Sequence, residues 1–198
     1  MLGTVLLVFN PLSVRALSDL LKVANITTTL RYLHSVLIVP DSERTEDPVR
    51  IFHKSFPDFL TDPKRCKDKQ FLVDPTPLHT NILLLCLDLM RKKLKRNIFN
   101  LEDCIDLRLV DDLPTRQKDH IGDALKYACQ FWIKHLLEIP CSSSYIDQVE
   151  KAINDFFATS LLHWIELLVL TRNIDLGIYA MNDLGQWCTS VSDFLAIY

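Results

Sequence analysis

The residue for which chemistry can be argued is His53, within the stretch V-R-I-F-H-K-S-F-P-D-F-L-T-D from Val49 to Asp62. The alternating run before it predicts a short strand, and Pro57 after it indicates a turn into a short aromatic helix. An imidazole N–H is a short, orientable donor, and the ring can become charged near neutral pH. Lys54 follows directly and adds a cation. The alternative interpretation of His53 is a structural histidine satisfied by a backbone carbonyl at a strand–helix corner.

The other histidines and the cysteines give no sign of a second site. No C-x-x-C, H-E-x-x-H or Cys–His pattern occurs, and the 4 glycines cannot form a phosphate-binding G-x-x-x-x-G-K-[ST] loop. We therefore expect no catalytic residue and no metal site, so the chain is predicted not to be an enzyme. The remaining histidines are predicted to be structural or exposed, namely His34, His79, His120, His135 and His163. Most cysteines occupy apolar helical positions and are interpreted as buried thiols of a reducing compartment, namely Cys66, Cys86, Cys104, Cys129, Cys141 and Cys188.

Composition predicts a globular, helix-rich chain. Of the 198 residues, 48% are hydrophobic and 24% charged, and glycine is scarce. The net charge of -3 provides no global field that would attract nucleic acid or an anionic membrane. The longest apolar stretch, 161–170, is too short to span a bilayer, and the first residues lack a signal-peptide pattern. A cytoplasmic protein without membrane contact is expected.

The first 62 residues are predicted to form one module. Helical patterns begin near Leu2, after a cap at Ser13 and after a cap at Asn25. In the first, the apolar positions extend to Phe9. Two short strands around an acidic loop then predict a hairpin ending at residue 52. Three helices followed by a hairpin are typical of a winged-helix module, a variant of the helix-turn-helix.

The rest of the chain is predicted to be a proline-containing linker, residues 63–77, and an all-helical domain, residues 78–198. Thr76 is expected to cap the first long helix and Ser144 a later one. The run R-K-K-L-K-R at 91–96 is interpreted as a solvated helix end, favoured there by the helix dipole. A nuclear-import or nucleic-acid patch is the alternative for this run. Aromatic side chains at helical spacing are expected in the core, namely Phe131, Trp132, Phe156, Phe157 and Trp164. The predicted fold class is therefore mainly α.

Several of these segments resemble the fungal NACHT-type, NLR-like signalling ATPases of the STAND class. They are L-H-S-V-L-I-V-P, P-V-R-I-F-H-K-S-F-P-D-F-L-T-D-P-K-R-C, L-K-Y-A-C-Q-F-W-I-K-H-L and L-L-H-W-I-E, in the family's order. In that family a P-loop ATPase precedes a winged-helix module and a helical domain, and sensor repeats often follow. The resemblance implies that this chain is the regulatory middle portion, without the P-loop. It would contribute to sensing the ADP state and to interdomain autoinhibition.

The resemblance also implies a role for His53 and Lys54 in nucleotide sensing. Many relatives have a Met-His-Asp triplet at the end of the winged-helix strand, whose histidine reaches a phosphate of bound ADP. Phe52, His53 and Lys54 occupy the matching place, with Phe52 in place of Met and Lys54 in place of Asp. The chain would hold no cofactor of its own, since ADP or ATP enters only with a NACHT domain. That domain, in cis or in trans, is the implied partner. The resemblance leaves open whether the full-length protein forms a homo-oligomer.

Two other functions are compatible with the sequence. The chain can be a stand-alone helical adaptor for protein interactions, or a weak winged-helix DNA binder. For the DNA binder, the third helix would enter the major groove, but residues 26–34 offer only Arg31 as a phosphate contact. The acidic wing loop would repel phosphates. No nucleic-acid partner is therefore expected.

Overall fold

The computed structural model describes residues 1–40, 46–101 and 110–197. This part contains ten helices and one two-stranded sheet, which confirms the mainly α class. The elements are α1 (Leu2–Leu7), α2 (Val14–Leu21), α3 (Ile26–Arg31), β1 (Leu37–Ile38), β2 (Arg50–Ile51), α4 (Ser55–Leu60), α5 (Pro75–Lys93), α6 (Leu113–His120), α7 (Asp123–Leu137), α8 (Ile146–Thr159), α9 (Leu161–Leu170) and α10 (Ile174–Ile197).

The caps of the first helices agree with the sequence in position, though not always in mechanism. Ser13 caps α2 as predicted, because its Oγ accepts the backbone N–H of Ala16 at 3.2 Å. Asn25 is the N-cap of α3, but its side chain makes no cap bond and its φ is 59°. Helix α1 ends at Leu7, so Phe9 lies in the loop that follows. A helix ending before Asn10-Pro11 fits the bias of the residue before proline against helical angles.

The predicted hairpin is present and is joined by a third extended segment. Strands β1 and β2 are antiparallel, with Leu37 opposite Ile51. An isolated antiparallel bridge links Ser13 to Pro48, just before β2. The wing loop's Asp41, Glu43 and Arg44 lie outside the described residues. The winged-helix assignment stays a prediction.

The helical array is built around the pair α5 and α7. Helix α8 packs on α5, α10 packs on α7 and on α9, and α2 reaches both α5 and α7. One hydrophobic core is continuous from Leu17 and Leu20 of α2 to Trp132 and Trp164. The division of the chain at residues 63–77 stays a prediction.

Two predicted helix starts were wrong by one or more residues. Helix α5 begins at Pro75, because the Asp74 carboxylate accepts the Thr76 N–H at 3.1 Å and takes the capping role assigned to Thr76. Helix α8 has Tyr145 as its N-cap without a side-chain cap bond. Ser144 therefore does not cap it.

The aromatic core was predicted correctly in its centre. Trp132, Phe156 and Trp164 pack with ring centroids 5.2 to 6.0 Å apart, and all three are buried. Phe157, in contrast, is exposed. Of the cysteines, Cys66, Cys86 and Cys129 are buried, Cys141 is half-buried and Cys188 is exposed, while Cys104 lies outside the described residues.

Membrane-spanning potential is limited in the part of the chain that the structure describes. None of its helices is by itself both long and apolar enough to cross a bilayer. Helices α8 and α9 reach the required length and hydropathy only when taken together, and they are bent by 68° where they meet.

Candidate functional site

His53 is the first residue beyond the hairpin ladder. The last ladder bond runs from the Phe52 N–H to the Val36 carbonyl at 2.9 Å. On its other side, the His53 carbonyl accepts the N–H of Phe56 in the first turn of α4 at 3.0 Å. The backbone is therefore fixed on both sides, while the side chain is exposed at the strand–helix corner.

The imidazole of His53 is oriented by Ser55. The Ser55 backbone N–H donates to Nδ1 at 3.1 Å, and the Ser55 Oγ lies 2.7 Å from the same atom. Because a backbone N–H can only donate, Nδ1 must accept, which assigns the proton of the neutral ring to Nε2. Nε2 makes no hydrogen bond to any described residue. The alternative interpretation of His53 gave the ring a backbone carbonyl partner; no such bond forms with the described residues, and Nε2 instead presents an unused donor.

Lys54 occupies the N-cap position of α4, with helical angles of φ -57° and ψ -30° and no side-chain cap bond. Its side chain is exposed and forms no ion pair with the described residues. The structure thus adds, next to His53 in the chain, an exposed cation with no ion-pair partner among the described residues.

The outer face of the hairpin adds an apolar surface to this corner. Alternation along the strands puts Ile38, Arg50 and Phe52 on the face opposite the buried Leu37. Phe52 is 69% exposed and Ile38 is 50% exposed. In the sequence, Phe52 stands out only as a departure from the family triplet. Its exposed position follows from the register of the strands.

A small second core supports the corner from below. Leu6 of α1, Leu60 of α4 and Cys66 are buried together, with Ile51 and Phe56 packed against them. Helix α1 also contacts β2 directly. The two elements on either side of His53 are therefore held by α1.

No other described group adds chemistry to this corner. Among the described residues, no group of three or more His, Cys, Asp or Glu side chains can hold a metal ion. His79 and His135 are buried together in the helical array, far along the chain from His53. A cleft of about 730 Å³ lies between α2 and the α6–α7 corner, and its lining includes Arg15, Asp19 and Lys118 but not His53.

The basic run at 91–96 lies at the end of α5, as predicted: Arg91, Lys92 and Lys93 form its exposed last turn, and Lys95 and Arg96 are exposed beyond it. Asp88 pairs with Arg91 and Lys92 at 2.7 and 2.8 Å, and Lys22 from the end of α2 joins the same carboxylate. Partial burial would raise the pKa of Asp88, but hydrogen bonds from these three cations outweigh it and hold the pKa well below the ordinary value. Part of the positive charge is thus compensated within the chain.

The chain is similar to one curated fungal protein, the vegetative incompatibility protein HET-E-1 of Podospora anserina. The two are 28% identical over 155 residues, which cover 70% of this chain and 11% of HET-E-1. The chain therefore spans about a tenth of the length of this relative. No protein-family model and no solved structure matches the chain. The similarity supports a distant relationship to the fungal NLR-type proteins.

Proposed function

We propose that this chain is a regulatory segment of a NACHT-type signalling ATPase, in which it senses the ADP-bound state and contributes to autoinhibition. The observation on which this depends is the exposed imidazole of His53, which is fixed by Ser55 and has a free Nε2–H. The chain itself does not hydrolyse nucleotide. The ATPase domain and its nucleotide are supplied in cis or in trans.

The order of elements in residues 1–62 supports a winged-helix module for this role. Three helices precede the hairpin, and the Ser13–Pro48 bridge attaches the start of α2 to the edge of β2. This bridge ties the second helix to the strand that ends beside His53.

The corner offers three kinds of contact to a nucleotide-binding domain. The His53 Nε2–H can donate to a phosphate oxygen, and the ring can become charged on contact. Lys54 adds a positive charge, and Phe52 offers apolar area to the protein surface around the nucleotide. Because Ser55 already fixes the ring, less conformational entropy is lost when the contact forms.

Such a contact would work as a switch through differential binding. The corner binds the ATPase domain more tightly when the phosphate acceptor of ADP is in place, and the closed state is then more populated. Loss of ADP removes that acceptor and releases the domain contact.

The test uses the full-length protein that contains this chain. His53→Ala should raise the ADP dissociation rate by about tenfold, because one charge-assisted hydrogen bond is lost. Ser55→Ala should raise this rate less. His34→Ala is the matched control, since His34 is also exposed and lies in the same module. An unchanged dissociation rate with His53→Ala would overturn the proposal.

A helical interaction adaptor is the second candidate, and the surface of α9 favours it. Leu162, Ile165 and Val169 are exposed at helical spacing on the outer face of this helix. An adaptor needs no nucleotide. Disabling the P-loop of the full-length protein would leave an adaptor active, whereas the nucleotide-sensing role would be lost.

A further inference from the structure

A chain of hydrogen bonds, buried from Tyr127 onward, joins the α1–α2 loop to the centre of the helical array. The Phe9 backbone N–H donates to the Tyr127 hydroxyl at 3.2 Å. That hydroxyl lies 2.7 Å from Nε2 of His135, and Nδ1 of His135 lies 2.8 Å from Nδ1 of His79. Tyr127 and His135 belong to α7, while His79 belongs to α5. Three elements that are distant in sequence thus meet in one polar path.

The protons of this path can be assigned by counting donors and acceptors. If the Tyr127 O–H donates to His135 Nε2, then His135 Nδ1 has the proton and donates to His79 Nδ1. The reverse direction leaves the Tyr127 O–H without a described acceptor, which is costly in a buried site. The path therefore runs from Phe9 to His79.

Aromatic contacts reinforce the position of Phe9. Its ring centroid is 4.7 Å from that of His135 and 5.9 Å from that of His79. Phe131 lies 6.2 Å away, and the Lys134 Nζ lies 5.8 Å from the Phe9 ring centroid. Phe9 is the residue of the α1–α2 loop that makes both the polar and the ring contacts.

Phe9 also lies next to the helix that supports the His53 corner. It follows α1 by two residues, and α1 contacts β2 and contributes Leu6 to the second core with Leu60 of α4. The position of Phe9 therefore helps to set the position of α1, and through α1 the two elements that flank His53.

We propose that Phe9, Tyr127, His135 and His79 form a latch that couples the α5–α7 pair to the His53 corner. Its breaking point is the bond between Phe9 and Tyr127. When this bond breaks, the Phe9 N–H can turn to water, and the Tyr127 hydroxyl keeps its bond to His135. Opening the latch lets α1, with α4 attached, shift on α5 and against β2, which the Ser13–Pro48 bridge holds to the start of α2, while the rest of the array keeps its packing.

Tyr127→Phe removes the acceptor of Phe9, and with it the donor to His135 Nε2, with little change of shape, and it tests the latch in the isolated chain. Amide hydrogen exchange in α1 and α4 should become about five- to tenfold faster, whereas exchange in α8 to α10 stays unchanged. Tyr179→Phe is the matched control, because it removes a hydroxyl from a side chain that is 69% exposed.

Equal acceleration throughout the chain would show that Tyr127 only adds general stability, and no acceleration would show that α1 does not depend on it. Either result overturns the latch. If Tyr127→Phe does not fold, Phe9→Leu tests the other half of the latch, because it keeps the N–H but removes the ring contacts with His79 and His135, and exchange should again become faster in α1 and α4 than in α8 to α10. No nucleotide is present in this experiment, so its failure would leave the proposed ADP contact of His53 standing.

Discussion

The Nδ1 atoms of His79 and His135 lie 2.8 Å apart across the α5–α7 interface, and the two side chains are 5% and 0% exposed. At least one of these nitrogens must be unprotonated for the bond to exist. Burial lowers the pKa of His79, partly opposed by Glu138, and burial with the neighbouring His79 lowers the pKa of His135 to about 3. The pair is therefore held in the folded chain as neutral imidazoles.

This relationship predicts loss of stability in mild acid. The pKa of His135 falls from 6.5 in the unfolded chain to about 3 in the folded chain, so the unfolded chain binds more protons between these values. The stabilising contribution of the neutral His135 side chain is complete above pH 6.5 and decreases as the pH falls toward 3. From pH 7 to pH 5 the free energy of unfolding should fall by about 2 kcal/mol. Urea denaturation at both pH values measures this difference.

His135→Gln provides the control for the acid effect. Glutamine does not titrate, so the variant should lose clearly less stability between pH 7 and pH 5, whatever its stability at pH 7. If wild type and variant show the same pH dependence, the buried pair is not its source.

The same substitution should have different effects at two glycines of α10. A Cβ at Gly177 would lie 2.8 Å from Leu168 Cδ1 of α9, whereas a Cβ at Gly185 would meet nothing within 4 Å. Gly185→Ala should stabilise the chain by about 0.5 to 1 kcal/mol, because alanine has the higher helix propensity. Gly177→Ala should lose this gain or destabilise, because Leu168 must move. Thermal unfolding of both variants measures the difference, and equal shifts would contradict the close approach of α9 and α10.

Local signals predicted much of the fold correctly. The Ser13 cap and the short aromatic helix around Pro57 depend on residues a few positions apart, so their spacing is visible in the chain, although α4 already begins at Ser55 and contains Pro57. The cap of α5 was misassigned because Asp74 and Thr76 are both good capping residues, and only the backbone geometry selects Asp74.

The latch could not be predicted, because periodicity contains no information on which helices pair. Phe9 and Tyr127 are 118 positions apart, and His79 and His135 are 56 apart. His53 was singled out from its position at a strand end together with the family resemblance, but its contact with Ser55 was missed. A serine two residues after a histidine is the signal that could have indicated it.

Two of the three buried tryptophans of the core, Trp132 and Trp164, should differ in the stability that is lost when each is changed to phenylalanine. The Trp164 Nε1–H donates to the Cys129 carbonyl at 3.0 Å, whereas the buried Trp132 Nε1–H has no hydrogen-bond partner among the described residues. Both changes to phenylalanine lose similar volume. Trp164→Phe also loses a hydrogen bond, so it should lower the free energy of unfolding by about 1 kcal/mol more than Trp132→Phe does. Chemical denaturation of the two variants decides this, and a larger cost for Trp132→Phe would contradict the assigned partners.

The ring of His53 should show a single neutral tautomer in solution. Because the Ser55 N–H donates to Nδ1, the proton is expected on Nε2, so ¹⁵N NMR should show a pyridine-like Nδ1 and a pyrrole-like Nε2. His34, which makes no hydrogen bond to the described residues, should give more averaged signals. Ser55→Ala removes only the hydroxyl contact, so the tautomer should persist with greater ring mobility. A pyrrole-like Nδ1 in His53 would contradict the donor geometry, and with it the unused Nε2–H on which the nucleotide contact depends.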